Sequence, residues 1–140
     1  MKNLDIDHNG KIIQTRAFRA HFSQTANNFT SIVNLATGDD YIKTAPRDTL
    51  MELYGLLDGE KRRLLPGVPQ ISGTEEELVL TYETFGGFPI EGTVCCTADG
   101  DRLTIQASIQ NHSDIDIVEI LMPHLGGIFL GDDYKDDAII

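Results

Sequence analysis

The chain has 140 residues, of which 41% are hydrophobic and 24% are charged, and its formal net charge is −11. This length is typical of one domain that buries about two-thirds of the surface its unfolded form exposes. The negative charge repels phosphate backbones and anionic lipid, and no apolar run approaches the roughly 20 residues that span a bilayer. Nucleic acid and membranes are therefore poor candidate partners, whereas neutral ligands such as sugars remain open.

The cysteines and the N-terminal sequence indicate the cellular compartment of the protein. The sequence begins MKNLDIDHNGK, without the apolar segment of a secretory signal. Cys95 and Cys96 are the only two cysteines and are adjacent. Adjacent strand residues point to opposite faces and rarely meet disulfide geometry, so we expect free thiols. Free thiols are typical of a reducing compartment, and we predict a cytoplasmic protein.

The first third of the chain predicts two hairpin-like units. Asn9-Gly10 lies between alternating apolar residues, as in a type I′ turn, in which both central residues need positive φ. Residues 16–22 and 29–35 then alternate apolar and polar side chains, as half-buried strands do. A turn at 37–40 follows the second strand.

Residues 49–57 are the one segment where a helix competes with a strand. Their apolar residues fit the i, i+3, i+4, i+7 spacing, and Asp48 could be the N-cap. Gly55 and the short length favour a strand. We predict a strand, which the turn 58–60 reverses into a basic strand at 61–65.

The second half of the chain contains the clearest hairpin. Residues 78–84 alternate and are rich in β-branched and aromatic side chains. Residues 90–98 and 103–109 follow as two strands joined by the turn 98–101, and we expect Cys96 to be a small core residue on the Val94 face.

The apolar pattern changes phase in the next strand. Ile115 and Ile117 occupy odd positions, whereas Val118 and Ile120 occupy even ones. Either a β-bulge lies near Ile117 or both faces of the strand are covered.

Roughly nine or ten strands, with turn signals every 8 to 12 residues, are typical of a β-sandwich or barrel. We predict an all-β fold, an antiparallel two-sheet β-sandwich, as a single domain over residues 1–140. The acidic loop 132–137 is followed by the apolar residues 138–140. This ending favours a chain that continues into another element, so the domain is expected to be the N-terminal part of a longer protein.

Asp5, Asp7 and Asn9 match the first half of an EF-hand loop, with Gly10 at its sharp turn. Arg16 stands where the loop should supply a bidentate Glu, and no helical pattern flanks it. We therefore keep the three residues as candidate metal ligands and prefer a hairpin with solvated carboxylates.

Other signatures of chemistry are incomplete. The acidic loop 132–137 could bind Ca²⁺, although charge runs are usually solvated. The four histidines lack the spacing of a zinc site, and neither a nucleophile elbow nor a phosphate-binding loop is present. No cofactor is expected. Glu119 is a candidate catalytic carboxylate because it lies in an apolar strand, and the preferred interpretation places it on the outward face of a bulged strand.

Two motifs resemble a known type of domain. Residues 111–127 read NHSDIDIVEILMPHLGG, and residues 29–42 read FTSIVNLATGDDYI. They resemble the N-terminal β-sandwich domains, of the galactose-mutarotase-like or supersandwich type, of glycoside-hydrolase-like proteins. In these domains a strand ends in Asn-x-Ser-Asp and the next finishes in a Pro-x-Leu-Gly-Gly corner. The resemblance covers about residues 16–137.

The resemblance implies a supporting role. In such proteins the sandwich precedes a catalytic (β/α)₈ barrel that supplies the acid and base carboxylates. The related aldose epimerases place a catalytic His shortly after a similar turn, and His124 falls near that position. However, this chain has Pro-His-Leu-Gly in place of the epimerases' His-Pro-Tyr-Phe and is less than half their length.

These observations predict a non-catalytic N-terminal β-sandwich domain of a carbohydrate-active protein, a glycoside hydrolase. Its expected partner is the catalytic domain of the same parent chain, and carbohydrate is a further candidate ligand. One alternative is a stand-alone carbohydrate-binding module, which should expose aromatic side chains together on one sheet. The other is a small aldose-epimerase-like enzyme that uses His124.

Overall fold

The computed structural model describes residues 10–43 and 48–123. Within these ranges the regular structure is entirely β-strand, and no helix has the length and apolarity needed to cross a membrane. The strands are β1 (Lys11–Gln14), β2 (Phe18–Ser23), β3 (Asn28–Asn34), β4 (Glu52–Leu57), β5 (Glu60–Leu64), β6 (Gln70–Ser72), β7 (Glu77–Tyr82), β8 (Ile90–Asp99), β9 (Arg102–Asn111) and β10 (Asp116–Leu121).

The strands pair in antiparallel fashion throughout. The prediction of an all-β, antiparallel, sandwich-like fold is confirmed. The hydrogen bonds divide the described strands into three sheets, with the orders β1-β2-β3, β10-β4-β5 and β6-β7-β8-β9. The structure thus has three sheets where the sequence predicted two. After β9 the chain pairs β10 with β4, and β4 becomes the centre of a separate sheet.

The core lies where alternating side chains of the three sheets meet. In β8 every second side chain from Ile90 to Ala98 is buried, and its neighbours on the other face are more exposed. Phe22 of β2 contacts Phe29 of β3 edge to face, with ring centroids 5.6 Å apart, which is a favourable aromatic geometry. The completely buried apolar side chains include Ile13, Ala20, Phe22, Leu50, Leu53, Leu78, Leu80, Phe85, Ile90 and Val94.

The predicted strand at 49–57 is confirmed, although it begins at Glu52. Asp58 and Gly59 have φ values of 54° and 82°, so both central residues of the β4–β5 turn adopt the left-handed conformation of a type I′ hairpin. Gly55 faces the core: a Cβ atom there would lie 2.6 Å from Ile115 Cγ2. The glycine that argued against a helix is thus required by close packing in the strand.

The phase change near Ile117 is a β-bulge, as the first of the two interpretations predicted. The β4–β10 register shifts between Ile117 and Glu119, which leaves Val118 as the extra residue. Val118 and Ile120 are 47% and 49% exposed. A second bulge, which the sequence pattern did not indicate, shifts the β2–β3 register between His21 and Phe22.

Two buried asparagines connect all three sheets; we call Asn27 and Asn28 the asparagine junction. Asn27 accepts a 2.7 Å hydrogen bond from the Tyr82 hydroxyl of β7 and donates to the Gly67 carbonyl between β5 and β6. Asn28 donates to the Asp48 carbonyl just before β4. Asn27 has a φ of 57°, a conformation that asparagine tolerates better than most residues. The junction therefore satisfies buried polar groups while fixing the sheets relative to one another.

The Tyr82→Phe variant tests this connection. Tyr82 is completely buried, and burial raises the pKa of its phenol, so the hydroxyl stays protonated and donates to Asn27. Removing it leaves the Asn27 Oδ1 atom without that donor, and we expect a loss of about 1 to 3 kcal/mol in unfolding free energy. Urea denaturation measures the change.

Tyr54→Phe is the matched control, since Tyr54 is only partly buried. It should change the unfolding free energy by less than about 0.5 kcal/mol. Equal stabilities of the Tyr82→Phe variant and the original protein would contradict the role given to the junction.

Candidate functional site

The polar residues of the Asn-x-Ser-Asp motif close a turn. The Asn111 side chain donates to the Ile115 carbonyl at 2.6 Å and accepts from the Ser113 backbone N–H at 2.9 Å. The Ser113 hydroxyl in turn accepts from the Ile115 N–H. His112 lies outside this set, with Nε2 3.0 Å from Glu91 Oε1. Asn111 and Ser113 therefore direct the chain from β9 into β10.

Glu119 lies on the outer face of the β10-β4-β5 sheet, which is where its preferred interpretation placed it. It stands opposite Tyr54, and its carboxylate is 2.5 Å from the Lys61 ammonium of β5. The same ammonium lies 5.0 Å from the centre of the Tyr54 ring, within the range of a cation–π interaction. The hydrogen bond and the charge of Glu119 raise the pKa of Lys61. Glu119 is thus bound to a cation across the neighbouring strand.

A second carboxylate on this face was not singled out by the sequence. Glu52 is 1% exposed and accepts two hydrogen bonds from the Arg63 guanidinium, at 2.8 Å from Nε and 2.7 Å from Nη2. The Arg63 Nη2 atom also donates to Asp48 at 2.7 Å. These carboxylates raise the pKa of Arg63, the hydrogen bond to Glu52 contributing most. A bidentate pair of this kind is among the strongest in proteins.

The cysteines occupy the two faces of β8, as predicted. Cys96 is completely buried, Cys95 is partly exposed, and both are free thiols. Burial raises the pKa of Cys96 to about 12. The pKa of Cys95 is also raised, first by desolvation and then by its hydrogen bond to Glu77. Neither thiol has the lowered pKa of a nucleophile.

One cavity combines apolar walls with polar groups; we call it the Tyr41 cavity. It has a volume of about 250 Å³ and lies between the β2–β3 sheet and the turn that joins β8 to β9. Phe18, Ile32 and Leu103 contribute apolar surface, and Asn34, Tyr41 and Asp101 contribute polar groups. The motif of residues 29–42 thus lines a concave surface.

A larger open groove lies beside the same β8–β9 turn. Its volume is about 1000 Å³, and Glu75, Glu76 and Asp99 give it an acidic lining together with Arg16. In residues 10–43 and 48–123, no group of three or more His, Cys, Asp or Glu side chains could hold a metal ion. The groove is thus an acidic surface that, within the described residues, has no candidate metal site.

Several predicted site residues lie outside the described residues. These are the candidate ligands Asp5, Asp7 and Asn9, the candidate catalytic His124 and the acidic loop 132–137. The Asn9-Gly10 hairpin also falls partly outside. Among the candidate site residues, Glu119 is therefore the one that lies within the described ranges.

Comparison of the chain with models of known protein families, with curated proteins and with solved structures finds no match in any of the three.

Sequence reasoning did not identify Glu52, Arg63 or the Tyr41 cavity. Glu52 follows two apolar residues and precedes a third, which is a signal for burial, and Arg63 lies in a strand that was expected to be basic. Nothing local to either residue indicates that the two meet, because the pair is formed by the register of β4 with β5.

Replacing Arg63 with Met should destabilise the fold strongly. The variant removes two hydrogen bonds and a positive charge from the buried Glu52 carboxylate, and reducing the charge compensation of an interior carboxylate is costly. We expect a clear loss of unfolding free energy, measured by urea denaturation, that exceeds the loss in the control variant.

Arg62→Met is the control, on the next residue of the same strand. Arg62 and Glu60 form an ion pair in which both side chains are mostly exposed, at 59% and 68%. Its loss should change stability by less than about 0.5 kcal/mol. Equal effects of the two variants would show that the buried pair contributes no more than a surface pair.

Thiol chemistry should separate the two cysteines. In the folded protein at pH 8, a disulfide reagent should modify Cys95 slowly and Cys96 only on unfolding, because Cys96 is buried with a pKa of about 12. Since the unfolded pKa is about 8.5, protonated Cys96 stabilises the fold fully below that value. This contribution is lost as pH rises toward 12.

Cys95→Ser should abolish the slow modification of the folded protein and keep the modification that appears on unfolding. Cys96→Ser should keep the slow modification and abolish the one that appears on unfolding. Cys96→Ala should also reduce the decline of unfolding free energy above pH 9. Rapid modification of Cys96 in the folded state would contradict its placement in the core.

Proposed function

We propose that this chain is a non-catalytic β-sandwich domain, of the galactose-mutarotase-like type, in a cytoplasmic carbohydrate-active protein. That protein is a glycoside hydrolase, and the domain packs on its catalytic domain and supports it. The observation that carries the proposal is the pair of exposed apolar side chains, Val118 and Ile120, on the edge strand β10, which leads into the Pro-x-Leu-Gly-Gly motif. The sequence resemblance supports the assignment to sugar chemistry.

The exposure of β10 supports a packing role. Ile120 stands opposite Leu53 in the β4–β10 register. Leu53 is completely buried, whereas Ile120 is 49% exposed. Among the described residues, the apolar face of this sheet is therefore left partly uncovered at its edge strand β10. An edge strand with exposed apolar side chains such as Val118 and Ile120 is a site where proteins associate.

The ion pairs of Glu119 and Glu52 support a non-catalytic role for these two carboxylates. Glycoside hydrolysis uses two carboxyl groups about 5 to 10 Å apart that are free to exchange protons or attack the sugar. Glu119 is bound to Lys61, and Glu52 is buried against Arg63. Both groups instead hold the β10-β4-β5 sheet together.

The described aromatic side chains do not form the platform of a typical sugar-binding module. Tyr41, Tyr54 and Phe88 are partly buried, and they belong to the loop after β3, to β4 and to the loop after β7. The other described Phe and Tyr side chains are buried. A stand-alone module with an exposed platform is therefore the less favoured proposal.

A turnover assay and a binding assay test the proposal together. The 140-residue chain should not accelerate hydrolysis of a panel of aryl glycosides or mutarotation of glucose and galactose above the uncatalysed rates. The Glu119→Gln and His124→Ala variants should be indistinguishable from it. Enzymic turnover that either variant abolishes would instead establish a catalytic chain.

The binding assay uses the protein segment that the reading frame encodes after Ile140, produced separately. The chain should bind this segment, and Ile120→Asp should weaken binding at least tenfold because it places a charge in an apolar contact. Val68→Asp is the control, since Val68 is 75% exposed and distant in sequence. A stop codon after Ile140, or equal binding by both variants, would contradict the packing role.

A further inference from the structure

We propose that the Tyr41 cavity binds one small neutral polyol of about the size of a pyranose ring. The apolar face of the ring would lie on Phe18, Ile32 and Leu103, and its hydroxyls would meet Tyr41 and Asp101. The inference concerns a cavity of this chain alone and goes beyond the supporting role proposed above.

The volume of the cavity sets the size of the ligand. Typical small-molecule sites occupy about 300 to 1,000 Å³, and the Tyr41 cavity, at about 250 Å³, lies just below that range. It has room for a single ring rather than an oligosaccharide. Its apolar walls suit the C–H face that a pyranose presents on one side.

The polar groups of the cavity are arranged in advance of binding. The side-chain oxygen Oδ1 of Asn34 accepts from the Ala36 and Thr37 N–H groups, which orients the side-chain amide to donate from Nδ2 to the Tyr41 hydroxyl at 2.8 Å. The Tyr41 oxygen is therefore an acceptor in this pair, and its own O–H remains available as a donor. Preorganised groups of this kind lose little entropy when a ligand binds.

Asp101 supplies the complementary acceptor. Its side chain is exposed, and among the described residues its carboxylate makes no hydrogen bond or ion pair. A carboxylate can accept from two neighbouring hydroxyls at once. The cavity thus offers a donor and a charged acceptor above an apolar wall, which is the combination that a polyol satisfies.

Other ligand classes fit less well. Anions are repelled by Asp101 and by a chain of net charge −11. An apolar molecule would desolvate the carboxylate without replacing its hydrogen bonds. An ammonium cation would pair with Asp101, but it has only donors and cannot accept from the Tyr41 hydroxyl.

The test is a titration of the ¹⁵N-labelled chain followed by amide chemical shifts. Glucose, galactose and inositol are the polyol probes, and choline and acetate are the cationic and anionic ones. We expect saturable shifts confined to residues near 17–18, 32–41 and 99–103 for at least one polyol. For about twelve non-hydrogen atoms, the expected dissociation constant is on the order of 1 mM.

Two variants keep the shape of the cavity and change its chemistry. Tyr41→Phe removes the donor and should weaken binding about 3- to 10-fold, and Asp101→Asn should weaken it similarly. Tyr54→Phe, on a different sheet, should leave affinity unchanged, and the spectra report whether each variant is folded.

The proposal is overturned by any of three results. These are non-saturating or dispersed shifts with every polyol, unchanged affinity in both cavity variants, or tighter binding of choline than of any polyol. The supporting role is tested separately by the binding of Ile120→Asp, so the failure of one proposal is distinguishable from the failure of the other.

Discussion

Buried polar groups must find partners, and in this protein that constraint is met at the asparagine junction. Asn27 and Asn28 lie where β2 turns into β3, and their side chains reach β7, the β5–β6 connection and the segment before β4. Leu50 also donates its backbone N–H to the Asn27 carbonyl. An unsatisfied amide in the interior costs about 1 to 3 kcal/mol, so alternative placements of the three sheets are disfavoured by the loss of several hydrogen bonds together. Apolar contacts alone, which are not directional, do not impose this specificity.

The outer face of the β10-β4-β5 sheet shows how charge serves structure here. Lys61 and Arg63 lie on one face of β5. Lys61 pairs with Glu119 of β10 across the intervening strand β4, and Arg63 pairs with Glu52 of β4 and with Asp48 just before it. The two pairs differ in burial: Glu119 is 40% exposed and Glu52 only 1%. Water weakens the first pair on both sides, whereas it reaches the second only through Arg63, which is 41% exposed. The register of the sheet brings each of these cations close to a carboxylate.

The two proposed functional surfaces lie where the sheets end. The edge of β10 leaves apolar side chains partly uncovered, and the Tyr41 cavity opens where the β2–β3 sheet meets the β8–β9 turn. A sheet cannot extend its hydrogen bonds or its apolar cover beyond its last strand or turn, so edges and ends are where another surface or a ligand can be accommodated. The loop between β3 and Tyr41 has its own order: Asp40 accepts hydrogen bonds from Ser31, Ile32 and Ile42. The cavity wall is therefore a structured surface.

The sequence by itself determined the strands and several turns. Alternation predicted β2, β3, β7, β8 and β9, Gly55 argued correctly for a strand at β4, and the phase change at Ile117 indicated the bulge. Only the tertiary structure decided that β10 pairs with β4, that Glu52 is buried against Arg63, and that Tyr41, Phe18 and Asp101 line one cavity. The physical reason is the range of the interactions. Side-chain alternation and turn conformation depend on residues a few positions apart, whereas the pair Glu52–Arg63 and the cavity bring together residues 11 to 83 positions apart. Their contacts follow from strand order and register, which local patterns do not specify.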